Sequence, residues 1–304
     1  MSAAPSAPGP LVTVGLPVYN GERYVAHSIE CLLAQTFRDF VVLVSDNAST
    51  DATGEICRKY ASRDPRLYYH RNPTNLGMAG NYNLTFSMAR SKYFRWATSD
   101  DYCAPDMLQD AVDCMEADPG ISLCYPRATF VDGEGHETGH WEDGLHLMQD
   151  DPVERFRAVV TGIGRVHHHL GLMRVDCMRR TGLIAKHVAS DIGFVAEMAL
   201  LGKFFQIPKY QFYRRLHEDS SSWTPDEAHQ ARRYHASGVR RVPFSRVRYH
   251  WRFVQAVRRA PLRPGQRLAL YRFLTRLAIS DRDQLAGESL RDLGLLVRPS
   301  SHSR

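Results

Sequence analysis

Apolar runs alternate with segments of helical periodicity along the first 130 residues of the chain. The pattern predicts four strands, at residues 11–19, 40–45, 67–70 and 93–98, of which the first two are expected to be buried. The segments between and after them predict helices at residues 22–35, 50–62, 79–90 and 105–117. Strands that are apolar throughout and alternate with helices are typical of a parallel sheet covered on both faces.

Polar residues gather just past the ends of these predicted strands. They are Asn20, Asp46, Asn47, Asn72, Asp100 and Asp101. In open parallel sheets, ligands bind beyond the carboxyl ends of the strands. The sequence therefore predicts a ligand site rich in acids and amides at this edge.

The second half of the chain has a less regular pattern. A polar, Gly-rich stretch at 132–151 predicts a loop or flap. Beyond it the pattern predicts a helix at 152–161, an extended segment at 170–175, a helix at 191–202 and an extended segment at 204–215. From about 225 to 294 the pattern is helical and Arg-rich, with breaks near three prolines.

Two common nucleotide-binding motifs are missing from the sequence. The first strand runs into PVYNGE at residues 17–22, where a dinucleotide site needs Gly-x-Gly-x-x-Gly, and no P-loop motif occurs. Without a backbone cradle for phosphate, a diphosphate needs a metal ion held on carboxylates. Asp100 and Asp101 offer such carboxylates, which together with phosphate oxygens and water suit Mg²⁺ or Mn²⁺.

Five motifs carry a resemblance to a known family: VGLPVYNGE at 14–22, QTF at 35–37, SDNASTD at 45–51, Asn72 with NLGMAGN at 75–81, and SDD at 99–101. In their joint spacing the chain resembles the inverting family-2 glycosyltransferases with the GT-A fold, over roughly residues 10–222. The resemblance implies an α/β fold with a mostly parallel sheet flanked by helices, and the helical pattern beyond it predicts an Arg-rich helical C-terminal extension.

The sequence pattern and the resemblance together divide the chain into four predicted parts. Residues 1–10 are predicted to be a flexible N-terminal lead, and residues 11–132 to be the nucleotide-sugar-binding α/β half. Residues 133–224 would form the acceptor-binding half of the same domain, followed by a helical extension at 225–304.

The resemblance also implies which residues of this chain line the nucleotide pocket, because they stand at positions that match the family's motifs. Asp46 resembles the residue that accepts a hydrogen bond from the donor's base, and a carboxylate suits the N3–H of uracil. Thymine and guanine present an equivalent N–H, so this argument leaves the base open. Asp100 matches a contact to ribose or donor sugar. The other predicted nucleotide-binding residues are Pro17, Tyr19, Asn20, Glu22, Asn72, Gly77 and Asn81.

The resemblance also implies the catalytic and metal-binding residues. Asp101 matches the metal ligand and His217 the histidine that helps to hold metal and diphosphate, with Arg214 and Arg215 as phosphate contacts. The family's further acid is replaced by Thr98 and Ser99, which leaves Asp101 as the only direct carboxylate ligand.

Asp191 resembles the catalytic base, a carboxylate that must reach the acceptor hydroxyl. Two other interpretations stay open. Asp191 can be only a helix cap, and Glu197 is the nearest rival base, although it is expected to face solvent or an arginine.

The function that the resemblance implies is transfer of a sugar from a nucleotide-diphosphate sugar, with UDP favoured, to an acceptor hydroxyl, with inversion and a divalent Mn²⁺ or Mg²⁺ ion. The alternatives are a nucleotidyltransferase, which needs a glycine-rich and basic loop that is missing here, and a non-catalytic sugar-nucleotide-binding protein. The acceptor is not identified, because the loops at 132–151 and 161–170 would choose it.

The amino-acid composition indicates the broad class of protein and bears on its expected location. Of the 304 residues, 43% are hydrophobic and 24% charged, the balance of an ordinary globular protein. No apolar run approaches the roughly 18 residues of a transmembrane helix, and the N-terminus does not resemble a signal peptide. A cytoplasmic location is therefore expected. Six cysteines without a Cys-x-x-Cys pair argue against a disulfide framework or a zinc ribbon.

The basic charge of the chain is concentrated near its C-terminus. Residues 230–304 hold 17 arginines, no lysine and four acids, so this segment carries +13 and the rest −7 of the net +6. We expect amphipathic helices packed on the core or on a second copy, with their arginines in solvent. A homodimer or peripheral membrane contact through 225–304 is a further expectation, and nucleic-acid binding is not expected.

Three consecutive histidines, at 167–169, suggest a metal site at first sight. Neighbouring residues of an extended chain point to opposite faces. A wall of the acceptor pocket is therefore the better interpretation.

Overall fold

The computed structural model describes residues 9–142, 144–164, 167–187, 189–218 and 243–293. Within these ranges, nine strands form a single sheet. The strands are β1 (Val12–Val18), β2 (Phe40–Asp46), β3 (Leu67–Arg71), β4 (Tyr93–Trp96), β5 (Tyr102–Cys103), β6 (Ile121–Val131), β7 (Glu137–Trp141), β8 (Leu172–Arg174) and β9 (Lys203–Arg215).

Helices cover the sheet and extend beyond it. In the described ranges they are α1 (Val25–Leu33), α2 (Thr53–Ala61), α3 (Gly77–Ser87), α4 (Met107–Ala117), α5 (Pro152–Gly162), α6 (Val175–Met178), α7 (Ser190–Leu201), α8 (Ser245–Arg259), α9 (Pro264–Ser280) and α10 (Arg282–Asp292). A short 3₁₀ turn covers His168–Leu170.

The sheet has the strand order β3-β2-β1-β4-β8-β6-β9-β5, with β7 added beside β6. The first four strands are parallel, as the apolar runs predict. In the second half β6 and β9 are parallel, whereas β8 lies antiparallel between β4 and β6. The α/β fold with helices on both sides of the sheet is confirmed.

β7 lies inside the stretch that the sequence predicts as a loop or flap. It pairs antiparallel with the end of β6, in a register that shifts between Phe130 and Val131. Four of its five residues are exposed, so the strand lacks the apolar alternation by which a sequence indicates a strand. The loop prediction for residues 137–141 was therefore wrong.

Two of the three C-terminal helices, α8 and α9, continue the core of the second half. Phe253 and Val257 of α8, with Leu270 and Leu274 of α9, are buried in the same apolar cluster as Phe194 of α7. This packing agrees with the expectation that the helices lie on the core, while many of their arginines are exposed. Membrane contact and a homodimer stay predictions, and residues 225–242 lie outside the described ranges.

None of the helices described is both long and apolar enough to cross a membrane.

Glu197 joins α7 to this extension. It is 3% exposed, and its Oε1 lies 3.1 Å from Nε of Arg252 and 3.0 Å from Nη1 of Arg259. Its Oε2 accepts a hydrogen bond of 2.7 Å from the backbone N–H of Gly182. Burial raises the pKa of Glu197 above its usual range, although Arg252 and the Gly182 N–H oppose this. The rival base therefore faces arginines, as the sequence analysis expects.

Replacing Glu197 by Gln is expected to lower the free energy of unfolding by about 3 kcal/mol, because it leaves the buried guanidinium of Arg252 uncompensated. Urea unfolding measures this. The control is Glu116→Gln, which breaks a half-exposed pair with Lys92 and should cost about 1 kcal/mol or less. Equal losses of unfolding free energy in the two variants would show that the buried Glu197–Arg252 pair stabilises the fold no more than the half-exposed pair does.

Candidate active site

The loop after β1 is fixed against the loop after β2. The backbone N–H of Asn20 donates to Ser49 Oγ at 3.0 Å, and that of Gly21 donates to Thr53 Oγ1 at 2.8 Å. Oε2 of Glu22 accepts from the N–H of Ala52 at 2.9 Å, next to the start of α2. Asn20 itself has a φ of 48°, in the left-handed region that Asn tolerates. These contacts fix the shape of the predicted nucleotide pocket.

The other two predicted pocket residues of this loop differ in exposure. Pro17 lies within β1 and is buried, where it pairs in register with Ser45 of β2. Tyr19 follows the strand, and its side chain is 50% exposed. A ligand in the pocket can therefore contact the Tyr19 side chain directly, whereas Pro17 shapes the strand end.

Asp46 ends β2 with its carboxylate fully buried. Oδ1 accepts from the Ser49 N–H at 2.8 Å, while Oδ2 accepts from Tyr69 Oη and from Arg71 Nη1, each at 2.7 Å. Burial raises the pKa of Asp46, but the hydrogen bonds of Ser49 and Tyr69 and the charge of Arg71 lower it below its usual value. Asp46 is therefore an ionised acceptor beside the predicted base position.

A cluster of buried amides lies next to Asp46. Asn72 Nδ2 donates to Oδ1 of Asn47 at 3.1 Å and to Oδ1 of Asn81 at 3.0 Å. Asn81 also accepts from Ser45 Oγ at 2.6 Å and donates back to the Ser45 carbonyl at 2.8 Å. Gly77, with a φ of 73°, starts α3 beside this cluster. The cluster links β2 to the loop after β3, so Asn72 and Asn81 act on the pocket by holding its wall.

The two acids after β4 differ in their surroundings. Asp101 is 8% exposed, and its oxygens accept from the Arg215 N–H at 2.9 Å and from Thr98 Oγ1 at 2.7 Å. Asp100 is more exposed, and its Oδ2 lies 3.1 Å from Nε2 of His217. The structure thus brings the predicted metal ligands Asp101 and His217, together with Asp100, close to the end of β9.

The Asp101 carboxylate suits a divalent cation. Burial and the adjacent charge of Asp100 raise the pKa of Asp101 to about 7, against the opposing effects of Arg214 and Thr98. A carboxylate whose ionised form is disfavoured in this way gains much from a bound cation. The described residues contain no group of three His, Cys, Asp or Glu that could hold a metal. Water and phosphate oxygens would therefore complete the coordination, as Mg²⁺ and Mn²⁺ prefer.

The two arginines that end β9 have different surroundings. Arg215 is 5% exposed, and its guanidinium donates to the backbone carbonyls of Asp100, Asp132 and Gly133 at 2.9 to 3.2 Å. These bonds occupy its donors, so in this conformation it fixes the loops around the acids. Arg214 is only partly buried, and its charge lowers the pKa of Asp101. Of the two, Arg214 is the better placed to contact phosphate.

Asp191 lies in the first turn of α7, and its Oδ1 accepts from the N–H of Ile192 at 3.0 Å. The helix is preceded by Ala189 in a left-handed conformation, and the N-cap position has no side-chain hydrogen bond. The charges of Asp191 and Arg214 both act on the ring of His169. Asp191 and Arg214 thus both lie within electrostatic range of His169.

Sequence reasoning missed the two partners of Asp46. Tyr69 and Arg71 stand on β3, which pairs with β2 so that Asp46 and Arg71 lie in register. The rule that locates polar residues at strand ends also covers Arg71, but Tyr69 is separated from that end by one residue. The roles of the predicted site residues stay predictions.

Comparison with known proteins gives the family. The model of the family described as "Glycosyl transferase family 2" matches residues 13–181. An uncharacterized glycosyltransferase of Methanocaldococcus jannaschii is 33% identical over 129 residues, 42% of this chain and 44% of that protein. A chondroitin synthase of Pasteurella multocida is 25% identical over 70% of this chain and 21% of its own length. The chain thus spans less than half the length of these two relatives.

Solved structures show the same fold. S. aureus TarS 1-349 in complex with UDP-GlcNAc matches with a TM-score of 0.64 and 19% identity, over 93% of this chain and 79% of that one. A mannosyltransferase of Pyrobaculum calidifontis in complex with GDP-Man and Mn²⁺ matches with a TM-score of 0.55 and 17% identity, over 97% and 87%.

Proposed function

Since this chain belongs to glycosyl transferase family 2 and is therefore a glycosyltransferase, we propose that it transfers a sugar from a UDP-sugar to an acceptor hydroxyl, with inversion and with a divalent metal. One observation carries the proposal. The charge of Arg214 acts both on Asp101 and on His169, and Asp191 acts on His169 as well. This supports a proposal in which Arg214 lies near the predicted metal ligand and near the region that the predicted base also affects.

Each group then has a chemical task. Asp191 accepts the proton of the acceptor hydroxyl, whose oxygen attacks the anomeric carbon. Arg214 binds the diphosphate through charge-assisted hydrogen bonds, which strengthen as the leaving group gains charge. Asp101 and His217 would hold the metal, which when bound supplies further charge stabilisation to the diphosphate. Asp100 is left to contact ribose or the donor sugar.

The uracil base is proposed to bind at Asp46. A carboxylate offers about four lone-pair sites, and Ser49, Tyr69 and Arg71 use three of them. When the Arg71 side chain, which is 44% exposed, moves aside, the site that it leaves on Oδ2 can accept the N3–H of the base. Binding of UDP-GlcNAc by a protein with this fold supports uracil, whereas the mannosyltransferase binds GDP-Man.

Family membership favours sugar transfer over the two alternatives, nucleotidyl transfer and non-catalytic binding. The acceptor is proposed as a hydroxyl compound of unspecified class. It would bind beside β7 and the segment before the 3₁₀ turn. A cytoplasmic location is part of the proposal.

Release of UDP from a set of UDP-sugars, with and without Mn²⁺, tests this function without a known acceptor. Proton NMR of the freed sugar should show first the anomer opposite to that of the donor. Retention of the anomeric configuration would contradict inversion. Formation of pyrophosphate from UTP and a sugar phosphate, with no UDP release, would show a nucleotidyltransferase instead.

A further inference from the structure

The C-terminal helices, at residues 243–293, expose a large share of the apolar side chains that face solvent. In the described part of the chain nine large apolar side chains are exposed, and six of them lie in these helices, which make up about a fifth of the described residues. The six are Val247, Trp251, Leu268, Ile279, Leu290 and Leu293. Single exposed apolar residues are normal on a folded protein, whereas their concentration in one region indicates an interaction surface.

The same helices expose arginines and almost no acids. Nine of their arginines are exposed, and they contain no lysine. Of their four acids, Glu288 and Asp292 accept hydrogen bonds of 2.8 and 2.6 Å from backbone N–H groups at the start of α8. Oδ2 of Asp281 lies 3.1 Å from Nε2 of His250. Asp283 is the one exposed acid of residues 243–293, so the charge at the surface of these helices is almost entirely positive.

Helix α8 carries apolar and basic side chains together on the side that faces away from the core. Val247, Trp251 and Arg258 are exposed at spacings of four and seven residues, which places them on one side of the helix. Phe253 and Val257, on the opposite side, are buried in the apolar core. Trp251 is 50% exposed although it is among the largest side chains of the helix.

Helix α9 repeats this arrangement. Leu268, Arg272 and Ile279 are exposed at the same spacings, whereas Leu270 and Leu274 are buried on the opposite side. The two helices pack against each other and bury these inner sides in the same apolar cluster. Their exposed sides, which we call the outer faces of α8 and α9, therefore both point away from that cluster.

An anionic lipid bilayer matches both components of the outer faces. Its phosphate groups attract arginine side chains, and its interface accommodates tryptophan and leucine at the boundary with the acyl chains. A second copy of the chain would instead bring like charges together across a two-fold interface. Nucleic acid would attract the arginines, but its phosphate backbone offers nothing to the apolar side chains beside them.

We propose that the outer faces of α8 and α9 bind the surface of a bilayer rich in anionic lipid. Trp251 and Leu268 enter the boundary between headgroups and acyl chains, while the exposed arginines pair with lipid phosphates. The inference goes beyond the proposed sugar transfer and does not depend on it, because none of these residues belongs to the predicted site.

Cosedimentation of the full chain with lipid vesicles tests the inference. Vesicles of equal parts phosphatidylglycerol and phosphatidylcholine are compared with vesicles of phosphatidylcholine alone. The wild type should bind the anionic vesicles and not the neutral ones, and added salt should weaken the binding. Trp251→Ser should weaken it about tenfold, and the double variant Arg258→Gln/Arg272→Gln about 30-fold, because each arginine near an anionic surface contributes separately.

Matched controls remove the same chemistry from the first half of the chain. Tyr68→Ser removes an exposed ring from β3, and the double variant Arg38→Gln/Arg63→Gln removes two exposed positive charges. Both controls should bind the anionic vesicles as the wild type does. Thermal unfolding shows whether each variant is folded.

Fluorescence quenching by brominated lipids gives a second measurement that needs no destabilising change. Brominated anionic vesicles should quench the wild type, and Trp251→Phe should lose most of this quenching while it still binds. The inference is overturned if anionic vesicles are bound no better than neutral ones, or if the controls lose as much affinity as the outer-face variants. It is also overturned if the chain binds duplex DNA but not vesicles, or if it forms a dimer that Trp251→Ser dissociates.

Discussion

Replacing Asp191 by Asn is expected to lower the rate of sugar transfer by about 10² to 10⁴, the contribution of a general base. Asn cannot take the proton of the acceptor hydroxyl, whereas its size and its capping ability match those of Asp. The affinity for UDP should stay unchanged, because the proposed role of Asp191 is toward the acceptor hydroxyl and not toward the nucleotide or the metal. Turnover and UDP titration together measure the effect.

The same substitution decides between the two interpretations of Asp191. Ala189 holds the N-cap position of α7, so a purely structural Asp191 would act only within the first turn, and Asn, which can also accept from the Ile192 N–H, would preserve activity. Glu154→Gln is the control, since Glu154 is an exposed acid in the first turn of α5. Full activity in Asp191→Asn would remove Asp191 as the base. Glu197, buried against two arginines, would be a poor replacement.

Replacing Asp101 by Asn is expected to remove the metal dependence of UDP binding. Loss of an outer-shell partner already costs about 10- to 100-fold in metal affinity, and loss of the carboxylate ligand itself should cost at least that much. The amide can still accept from the Arg215 N–H, and the Thr98 hydroxyl can rotate, so the fold should persist. Titration of UDP with and without Mn²⁺ measures the change.

Asp113→Asn is the control, because Asp113 is an exposed carboxylate on α4. It should leave the effect of Mn²⁺ on UDP affinity intact. An undiminished effect of Mn²⁺ in Asp101→Asn would place the metal elsewhere and contradict the assignment of Asp101.

The first half of the fold could be predicted because its signals are local. Strands β1, β2 and β4 are almost entirely buried, so each is a nearly continuous apolar run, and the acids and amides stand close after the strand ends. β7 could not be predicted, since four of its five residues are exposed and only pairing with β6 makes it a strand.

The site could be predicted at the level of residues but not of contacts. Asp46, Asp101 and Asp191 could be predicted because each stands at a position that resembles a family motif. The partner of Asp101 in β9 lies 114 residues away in the chain, and no sequence pattern indicates that pairing. For the same reason the burial of Arg215 becomes visible only in three dimensions.

The most direct test of the central claim is calorimetric titration with UDP, GDP, dTDP and CDP, each with and without Mn²⁺. Wild type is compared with Asp46→Ala, and with Asp46→Asn in case the smaller side chain disturbs the buried partners Tyr69 and Arg71. Metal-dependent binding of UDP that both variants lose is the predicted result. If none of the four nucleotides binds in the presence of Mn²⁺, the account of the donor site is contradicted.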